Sequence, residues 1–287
     1  MTLPDDLTLR DATPDDLPAI AELRTAVGWS VNEWALRAVI GQPAASCLVA
    51  VDAVGALAGV GSGIVYGPLG FVGNMIVADS QRRRGVGSAI IDGIVSYLEA
   101  AGCTRLELNA TSDGRPLYER HGFASIGRSA AARLARGLPL ARDASVSIRH
   151  ARPADIDDLA AYDLPRFGGD RRALLAMLLD DPAALILRAE RAGTLAGYAC
   201  VRPDAPRIGP LVADDPSVAE ALVAESFDLA PSAYELRLNL PPNNRSGADW
   251  LHRLGVPIEP WDGRMARGTT IERRDDTIYG MTVGALG

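Results

Sequence analysis

One pattern occurs twice in this sequence, at a spacing of about 138 residues. The segment LRDATPDDLPAIA, which begins at Leu9, returns as IRHARPADIDDLA from Ile148. In each copy a short strand pattern leads into a helix pattern whose first turn carries a proline, Pro14 or Pro153, at the position where a helix tolerates it best. A repeat of this length has the size of a domain, so the sequence predicts two domains of one fold.

The two copies match along most of their length. The segment CLVAVDAVGALAG, from Cys47, returns as ALILRAERAGTLAG, from Ala184, and each reads as two strands joined by a glycine turn. LELN returns as LRLN, and LYERHGF returns as WLHRLGV. Regular periodicity is lost around residues 140–145. We therefore predict one domain over residues 1–142 and another over residues 143–287, each mixing strands with helices.

The composition argues against several kinds of function. All 29 basic residues are arginine, which excludes Schiff-base chemistry and a lysine general base. A net charge of -7 argues against a nucleic-acid partner, although a local arginine cluster can still bind a small anion. The apolar stretches are interrupted before the ~20 residues that a membrane span needs, and the first residues lack a basic, apolar signal pattern. We expect a soluble, cytoplasmic protein without a membrane partner.

The cysteines and histidines do not form a metal-site pattern. The three cysteines are odd in number and far apart: Cys47, Cys103 and Cys200. This usage predicts isolated buried thiols in a reducing compartment. The three histidines lack metal-ligand spacing among themselves and with the cysteines, so we predict no metal site.

The most informative segment of the first copy is FVGNMIVADSQRRRGVGSAIIDGIV, which begins at Phe71. A strand pattern ends near Val77, three arginines from Arg82 precede the Gly85-Val86-Gly87 turn, and an amphipathic helix pattern follows. Glycines allow a ligand to approach the backbone closely, and a helix N-terminus favours an anion. The segment therefore predicts a pyrophosphate-binding loop; the alternative is a solvated arginine run beside a simple turn.

This segment resembles the acyl-CoA-binding signature of the GNAT superfamily of N-acetyltransferases, whose core is matched by Arg82-x-x-Gly85-x-Gly87. A second segment, ATSDGRPLYERHGF, resembles the closing helix of that superfamily, with Tyr118 at the tyrosine position. Thr111 stands where the commonest pattern has asparagine, and Asn109 is the nearby candidate to replace it. The second copy carries FGGDRR from Phe167, RIGPLVA from Arg207 and a closing Arg264-Met265. Through these pieces it is similar to the C-terminal domain of bacterial tandem acetyltransferases.

The resemblance implies an α/β (α+β) fold, with two GNAT-like domains that each have a mixed, mostly antiparallel sheet flanked by helices. It implies acetyl-CoA, or another acyl-CoA, as co-substrate, with loop amides on the pyrophosphate and a splayed strand on the pantetheine arm. The positions it assigns to acyl-CoA binding are Met75, Ile76, Val77, Arg82, Arg83, Arg84, Gly85, Val86, Gly87, Ser88, Asn109 and Thr111.

The reaction implied is the attack of a small-molecule amine on the thioester in a ternary complex. Tyr118 would protonate the leaving thiolate, since a tyrosine with a pKa near ~10 carries its proton at neutral pH. The alternative for Tyr118 is a core position beside Phe123. A free backbone N–H near Met75 would polarise the carbonyl.

The general base stays open in the sequence. Many superfamily members place a glutamate on the strand before the loop, where this chain has Gly73, Asn74 and Met75. Glu33, Glu107 or a water molecule ordered by Asn74 are the alternatives.

The acceptor site is expected in the region after the first helix. Trp29 and Trp34 can form an aromatic wall there, with Glu33 attracting the ammonium form of the amine. Asp170 and Arg172, in the FGGDRR segment of the second copy, are further candidates for substrate binding. The alternatives are a core tryptophan, an exposed helical glutamate and surface charges.

The second copy lacks the residues that make the first one a candidate enzyme. Its loop reads DDPSVAEALV, without arginine or glycine, and Leu251 stands at the position of Tyr118. We expect one CoA site per chain and a degenerate second domain. A non-catalytic acyl-CoA-binding regulator is the alternative function, and O-acylation or decarboxylation are alternative reactions. A homodimer is compatible with the sequence, and the stretch after Gly268 reads as a last strand or a loose end.

Overall fold

A computed structural model describes residues 3–29, 33–202, 206–230 and 235–287. The chain forms two compact units, each built from separate stretches of sequence. Unit 1 comprises Met1–Ser125, Met265–Ile271 and Gly284–Gly287, and unit 2 comprises Ile126–Arg264 and Glu272–Val283. The predicted domains, residues 1–142 and 143–287, describe the two sequence repeats and stay a prediction.

Unit 1 contains one sheet and four helices among its described residues. In chain order they are β1 (Leu7–Asp11), α1 (Leu17–Ala26), α2 (Glu33–Arg37), β2 (Ala45–Asp52), β3 (Leu57–Tyr66), β4 (Leu69–Val77), α3 (Val86–Ala100), β5 (Arg105–Ala110) and α4 (Arg115–Arg120). β1 to β4 are consecutive antiparallel neighbours, whereas β5 runs parallel to β4 after the α3 crossover.

Unit 2 repeats this order. Its elements, with the strands that complete both units, are β6 (Ala124–Ala135), β7 (Val146–His150), α5 (Ile156–Phe167), α6 (Arg172–Asp180), β8 (Leu185–Arg191), β9 (Thr194–Arg202), β10 (Arg207–Ala213), α7 (Pro216–Leu229), β11 (Glu235–Leu240), α8 (Arg245–Arg253), β12 (Ile258–Gly268) and β13 (Ile278–Gly280). β7 to β10 are antiparallel neighbours, and β11 is parallel to β10. The predicted mixed, mostly antiparallel fold is confirmed.

The last strand of each repeat completes the other repeat's unit. β6 belongs to the first repeat, yet its second half, Ala130 to Ala135, pairs antiparallel with β11 in unit 2, where Leu134 is fully buried. The end of β12 belongs to the second repeat, yet Met265 is buried in the core of unit 1 and Thr269 N donates to Thr104 O at 2.9 Å. This exchange is why the compact units differ from the sequence repeats.

The core of unit 1 lies between the sheet and α3. Its apolar positions recur at helical spacing and pack against alternate residues of the strands. The buried residues include Val72, Ile90, Ile94, Leu98, Leu106, Leu108, Tyr118 and Phe123. The prolines predicted to open helices, Pro14 and Pro153, each begin a 3-10 turn that continues into α1 or α5.

The three cysteines are buried and form no disulfide in the part of the chain that the structure describes, as predicted for thiols outside a disulfide framework. Burial raises the pKa of Cys47 to about 12 and also raises the pKa of Cys103. A thiol that holds its proton at neutral pH is a poor nucleophile, so these side chains act as small core residues. Among the described residues, none of the helices has the length and apolarity required to cross a membrane.

Unit 2 contains a fully buried ion pair. Arg171 donates to both carboxylate oxygens of Asp163, at 2.6 and 2.8 Å, and both side chains are 1% exposed. The Tyr198 hydroxyl donates to Asp163 at 2.5 Å, and Arg171 also donates to the Thr282 hydroxyl at 3.1 Å. Burial is the main cause that raises the pKa of Tyr198 well above its ordinary value. This network joins α5, α6 and β9 inside one core.

We expect the substitution Arg171→Met to destabilise unit 2 by about 3–5 kcal/mol, because it leaves the Asp163 carboxylate buried without its cation. The measurement is thermal and urea unfolding followed by intrinsic fluorescence. The double substitution Arg171→Met/Asp163→Leu should recover a large part of this loss, since it removes both charges.

Arg172→Ala is the matched control. Arg172 lies next along the chain, but its side chain is 48% exposed and pairs with Asp157 on the surface. Its removal should change the unfolding free energy by less than about 0.5 kcal/mol. Equal effects at the two positions would contradict the importance of the buried pair.

Candidate functional site

A bulge in β4 distorts the sheet of unit 1 next to the glycine-rich loop. The register with β3 passes from Val60 opposite Ile76 to Ser62 opposite Gly73, so that Gly61 faces both Asn74 and Met75. Asn74 has a left-handed φ of 54°. An extra residue of this kind re-aims side chains and backbone groups, and bulges are frequent next to active sites.

The ladder between β4 and β5 ends just before the bulge. Its last pair is Val72 opposite Leu108, whereas β4 continues to Val77. The predicted residues Met75, Ile76 and Val77 therefore lie on a stretch of β4 that pairs with β3 on one side only. An extended ligand with amide groups can pair with such an edge.

The N-terminus of α3 follows this stretch and is open. Its N-cap is Gly85, which has a left-handed φ of 93° that suits glycine, and in the part of the chain that the structure describes it receives no side-chain cap. The first N–H groups of a helix lack partners within the helix and attract an anion. Val86 and Ser88 are buried in the first turn, so the helix presents backbone groups rather than long side chains.

The three arginines of the loop are exposed. Arg82 pairs with Asp79 at 2.9 Å, and Arg84 pairs with Asp6 at 2.6 Å. Arg83 has a left-handed φ of 63°. Exposed ion pairs of this kind contribute little to stability, so a bound polyanion can replace Asp79 and Asp6 as the partner of these guanidinium groups.

Tyr118 lies on α4, beside the start of α3. A Cβ placed on Gly87 would be 3.3 Å from Leu117 and 3.5 Å from Val77, which shows that α3, α4 and β4 meet here. Tyr118 is buried and makes an edge-to-face contact with Phe123, with ring centroids 6.2 Å apart. Tyr118 thus occupies a core position beside Phe123, and its role as a proton donor stays a prediction.

Asn74 is held on the opposite face of the sheet. Its Oδ1 accepts from Arg24 of α1 at 2.6 Å, and its Nδ2 donates to the Ser62 hydroxyl at 2.9 Å. Burial lowers the pKa of the Arg24 guanidinium, which also lies 5.5 Å from the centre of the Trp29 ring. With both ends of its amide engaged, Asn74 is fixed in place rather than free to order a water molecule.

Arg24 and Ser62 are residues that the sequence interpretation missed. Arg24 lies one helical turn after the buried Ile20, on the face of α1 that packs inward. An arginine at the core-facing spacing of an amphipathic helix was the available signal. Ser62 carries no comparable signal, because its hydroxyl becomes informative only when β3 and β4 are aligned.

The predicted acceptor residues lie near α1 and α2. Trp29 is half-buried against Arg24, and Trp34 is half-buried on α2. Glu33 is exposed and pairs with Arg37 at 2.5 Å on the same short helix. Residues 30–32 lie outside the described part of the chain. The structure brings Trp29 to the Asn74 side and leaves Glu33 on the surface.

The remaining candidates have local partners. Glu107 is buried on β5 and pairs with Arg105 at 3.0 Å. Thr111 Oγ1 accepts from Gly114 N at 3.2 Å and shapes the turn before α4. Asn109 Nδ2 donates to Gly284 O at 3.0 Å, while its buried Oδ1 has no partner among the described residues.

Asp170 and Arg172 lie at the start of α6 in unit 2. The Asp170 carboxylate accepts from Arg172 N at 2.8 Å, as in an Asx turn, and Arg172 pairs with Asp157. Both contacts are on the surface of unit 2. Their predicted role in substrate binding stays a prediction.

The N-terminus of α7 in unit 2, which corresponds to that of α3 in unit 1, is capped by a side chain. Asp215 caps α7 by accepting from Ser217 N and Val218 N. Although burial alone would raise its pKa, hydrogen bonds from Arg191 and Ser217 lower the pKa of Asp215 to about 2, so it is ionised at neutral pH. A carboxylate thus occupies the helix end that is open in unit 1.

The free strand edge is also closed in unit 2. β13 pairs antiparallel with β10 at Leu211 and Val212, the residues that correspond to Met75 and Ile76 of β4. Leu251, at the position of Tyr118, is fully buried. The stretch after Gly268, for which the sequence left a strand or a loose end open, contains the short strand β13 and is otherwise irregular apart from a 3-10 turn at Asp275–Thr277.

Among the described residues, no three His, Cys, Asp or Glu side chains are grouped so that they could hold a metal ion. Unit 1 presents an open helix end, a free strand edge, a tyrosine hydroxyl and the amide of Asn74.

Comparisons with known proteins match both halves of the chain. Residues 11–123 match the model of the Acetyltransferase (GNAT) family, and residues 159–280 match that of an Acetyltransferase (GNAT) domain. A curated relative, the uncharacterized N-acetyltransferase YitH of Bacillus subtilis (strain 168), is 28% identical over 193 residues, which are 67% of each chain.

Solved structures agree over nearly the whole length. A Pyrococcus horikoshii protein assigned as an acetyltransferase is 25% identical, has a TM-score of 0.82, and matches over 100% of this chain and 98% of its own. A tandem GNAT protein from the clavulanic acid biosynthesis pathway shares the fold, with 17% identity, a TM-score of 0.61 and coverage of 91% of this chain and 98% of its own. This chain thus belongs to the GNAT acetyltransferases and carries two GNAT domains in tandem.

Proposed function

We propose that this protein is an acyl-CoA-dependent N-acyltransferase that transfers an acetyl group from acetyl-CoA to a small-molecule amine, with one active site in unit 1. The observation that carries the proposal is the contrast between the repeats. Unit 1 keeps the N-terminus of α3 open and the edge of β4 free, whereas unit 2 fills both places with its own Asp215 and β13. GNAT proteins generally use acetyl-CoA, and unit 1 retains the features that suit it.

The cofactor would lie along β4 and end at α3. The N–H groups after Gly85 would receive the pyrophosphate, and the loop arginines would neutralise its charge. The pantetheine amides would pair with β4 between Met75 and Val77, on the side where β5 has diverged. This places the thioester near the bulge and near α4.

The chemical step forms a C–N bond and breaks a C–S bond. The neutral amine attacks the thioester carbonyl carbon, and negative charge develops on the carbonyl oxygen, which the N–H of Met75 would stabilise. Collapse of the tetrahedral species expels CoA thiolate, and Tyr118 would donate its hydroxyl proton to the sulfur. The tyrosinate then regains a proton from solvent.

The proton released by the amine leaves by a separate route. Glu33 is neutralised by Arg37 on the surface, and Glu107 is sealed in β5 beside Arg105. Each carboxylate is thus already paired with an arginine of its own element. We therefore propose that Asn74, held by Arg24 and Ser62, fixes the bulge of β4 and with it the Met75 N–H, and that water takes the proton.

The test is thiol release from acetyl-CoA with a panel of amines, together with calorimetric binding of CoA and product mass. We expect binding of one CoA per chain and turnover with a subset of small amines. Among the described residues, unit 1 has an open helix end and a free strand edge, and unit 2 fills both places itself. A stoichiometry of two would contradict the assignment of unit 2.

Other outcomes identify other functions. Binding of CoA without turnover on any amine, alcohol or longer acyl-CoA would indicate an acyl-CoA-sensing regulator. An ester or a decarboxylated product would indicate a different acyl-CoA reaction. Absence of CoA binding would overturn the proposed cradle itself. We further propose a cytoplasmic location, where acetyl-CoA is available.

A further inference from the structure

The segment Gly284–Gly287 is built into unit 1. Its Gly284 carbonyl accepts from Asn109 Nδ2 at 3.0 Å, and its Leu286 carbonyl accepts from the Tyr66 hydroxyl at 2.9 Å. The Leu286 side chain is fully buried. These contacts hold the segment against β3 and β5, and they make it part of the folded unit.

Gly73 provides the room for this segment. A Cβ at Gly73 would lie 2.4 Å from the Ala285 carbonyl oxygen and 2.7 Å from Ala285 Cα, both of which are backbone atoms. The φ of Gly73 is not in the left-handed region, so the backbone conformation does not require glycine there. Space for Ala285 is therefore the physical reason for a residue without a side chain at this position.

Gly73 lies in β4 between the end of the pairing with β5 and the bulge. Gly73 follows Val72, where the pairing with β5 ends, and precedes Asn74 of the bulge. Val72 points into the α3 core, so Gly73 opens toward the other face, where Asn74 meets Arg24 of α1. The 284–287 segment thus lies on the face opposite the open end of α3.

We propose that the 284–287 segment is a fixed wall of the acceptor side of the active site, which excludes bulky amines and bulk water from the thioester. This inference rests on the proposed function. With acyl-CoA on the α3 face, the amine must reach the carbonyl from the α1 face, and Ala285 covers that face beside the bulge. The site then accepts an unbranched primary amine and rejects an amine that is branched at the carbon bearing the nitrogen.

The experiment compares the full chain with a chain that stops at Val283. The substrates are the best amine of the panel and its counterpart methylated at the carbon next to nitrogen. We expect truncation to raise the kcat/KM ratio of the branched to the unbranched amine at least tenfold. Thiol release without any amine should also rise at least tenfold, whereas CoA binding by calorimetry should change less than about threefold.

Leu286→Ala covers the case in which the truncated chain fails to fold. This substitution loosens the segment while leaving its backbone in place. It should raise the branched-to-unbranched kcat/KM ratio and the amine-independent thiol release by smaller factors than truncation does. Val54→Ala is the control, because Val54 is an exposed residue of the β2–β3 turn. It should leave selectivity and hydrolysis unchanged.

The outcomes separate the two proposals. If acetyl-CoA binds and amines are acylated, but selectivity and hydrolysis are the same in the full chain, the truncated chain and Leu286→Ala, the wall proposal is wrong and the enzyme proposal stands. If the full chain does not bind acetyl-CoA, the proposed function is wrong, and this inference, which rests on it, is wrong as well.

Discussion

Tyr118→Phe is expected to lower amine-dependent thiol release at least ~100-fold while CoA still binds. The hydroxyl is the only group removed, and loss of a general acid typically lowers the rate by about 10²- to 10⁴-fold. The phenyl ring retains the edge-to-face contact with Phe123, so the fold should persist. Steady-state kinetics with calorimetric CoA binding measures both quantities.

Tyr97→Phe is the matched control for this prediction. Tyr97 lies on α3 of the same unit, and its hydroxyl makes only a long contact of 3.4 Å with Pro43 O among the hydrogen bonds described for it. Its loss should change turnover less than about twofold. The acid role would be excluded by an equal decrease in both variants, or by a Tyr118→Phe effect that appears in CoA binding rather than in kcat.

Gly85→Asp is expected to weaken CoA binding at least ~100-fold without unfolding unit 1. The substitution copies unit 2, where Asp215 accepts from the first N–H groups of α7. Aspartate enters the left-handed region more readily than most side chains, and the strain that remains at the φ of 93° is shared by the asparagine control below. Two like charges ~4 Å apart near a protein surface repel by about 4 kcal/mol, and after screening a loss of two orders of magnitude in affinity remains.

Gly85→Asn is the control, because asparagine has the same shape and backbone preference but carries no charge. It should weaken CoA binding less than about tenfold. Calorimetry with CoA, and separately with pantetheine, which carries no phosphate, distinguishes the phosphate end of the ligand from the pantetheine end. Equal losses for Asp and Asn would mean that side-chain volume, rather than charge at the helix end, decides binding.

The contrast between the repeats supports the proposal of one acyl-CoA site per chain. Asp215 and β13 stabilise unit 2 internally by filling the helix end and strand edge that a cofactor would fill. The buried pair of Arg171 and Asp163 adds a further fixed network to the same unit. Unit 2 therefore satisfies these backbone groups with its own residues, whereas the corresponding groups of unit 1 remain for the ligand that we propose.

The sequence by itself determined the features that depend on neighbouring residues. The repeat, the strand and helix periods, the glycine turn before α3 and the absence of that turn in the second copy are all local patterns. The open end of α3 follows from Gly85 and the helix that it begins. Local propensity and spacing are sufficient for such features, so they could be predicted before the structure.

Only the tertiary structure decided which distant segments meet. The exchange of β6 and the end of β12 could not be predicted, because each strand fits the sheet of either repeat equally well by pattern. The contacts of Tyr66 with Leu286 and of Asn109 with Gly284 join residues 220 and 175 positions apart. Gly73, an apparent gap in the family pattern, is explained by Ala285, and such long-range packing leaves no periodic signal in either segment.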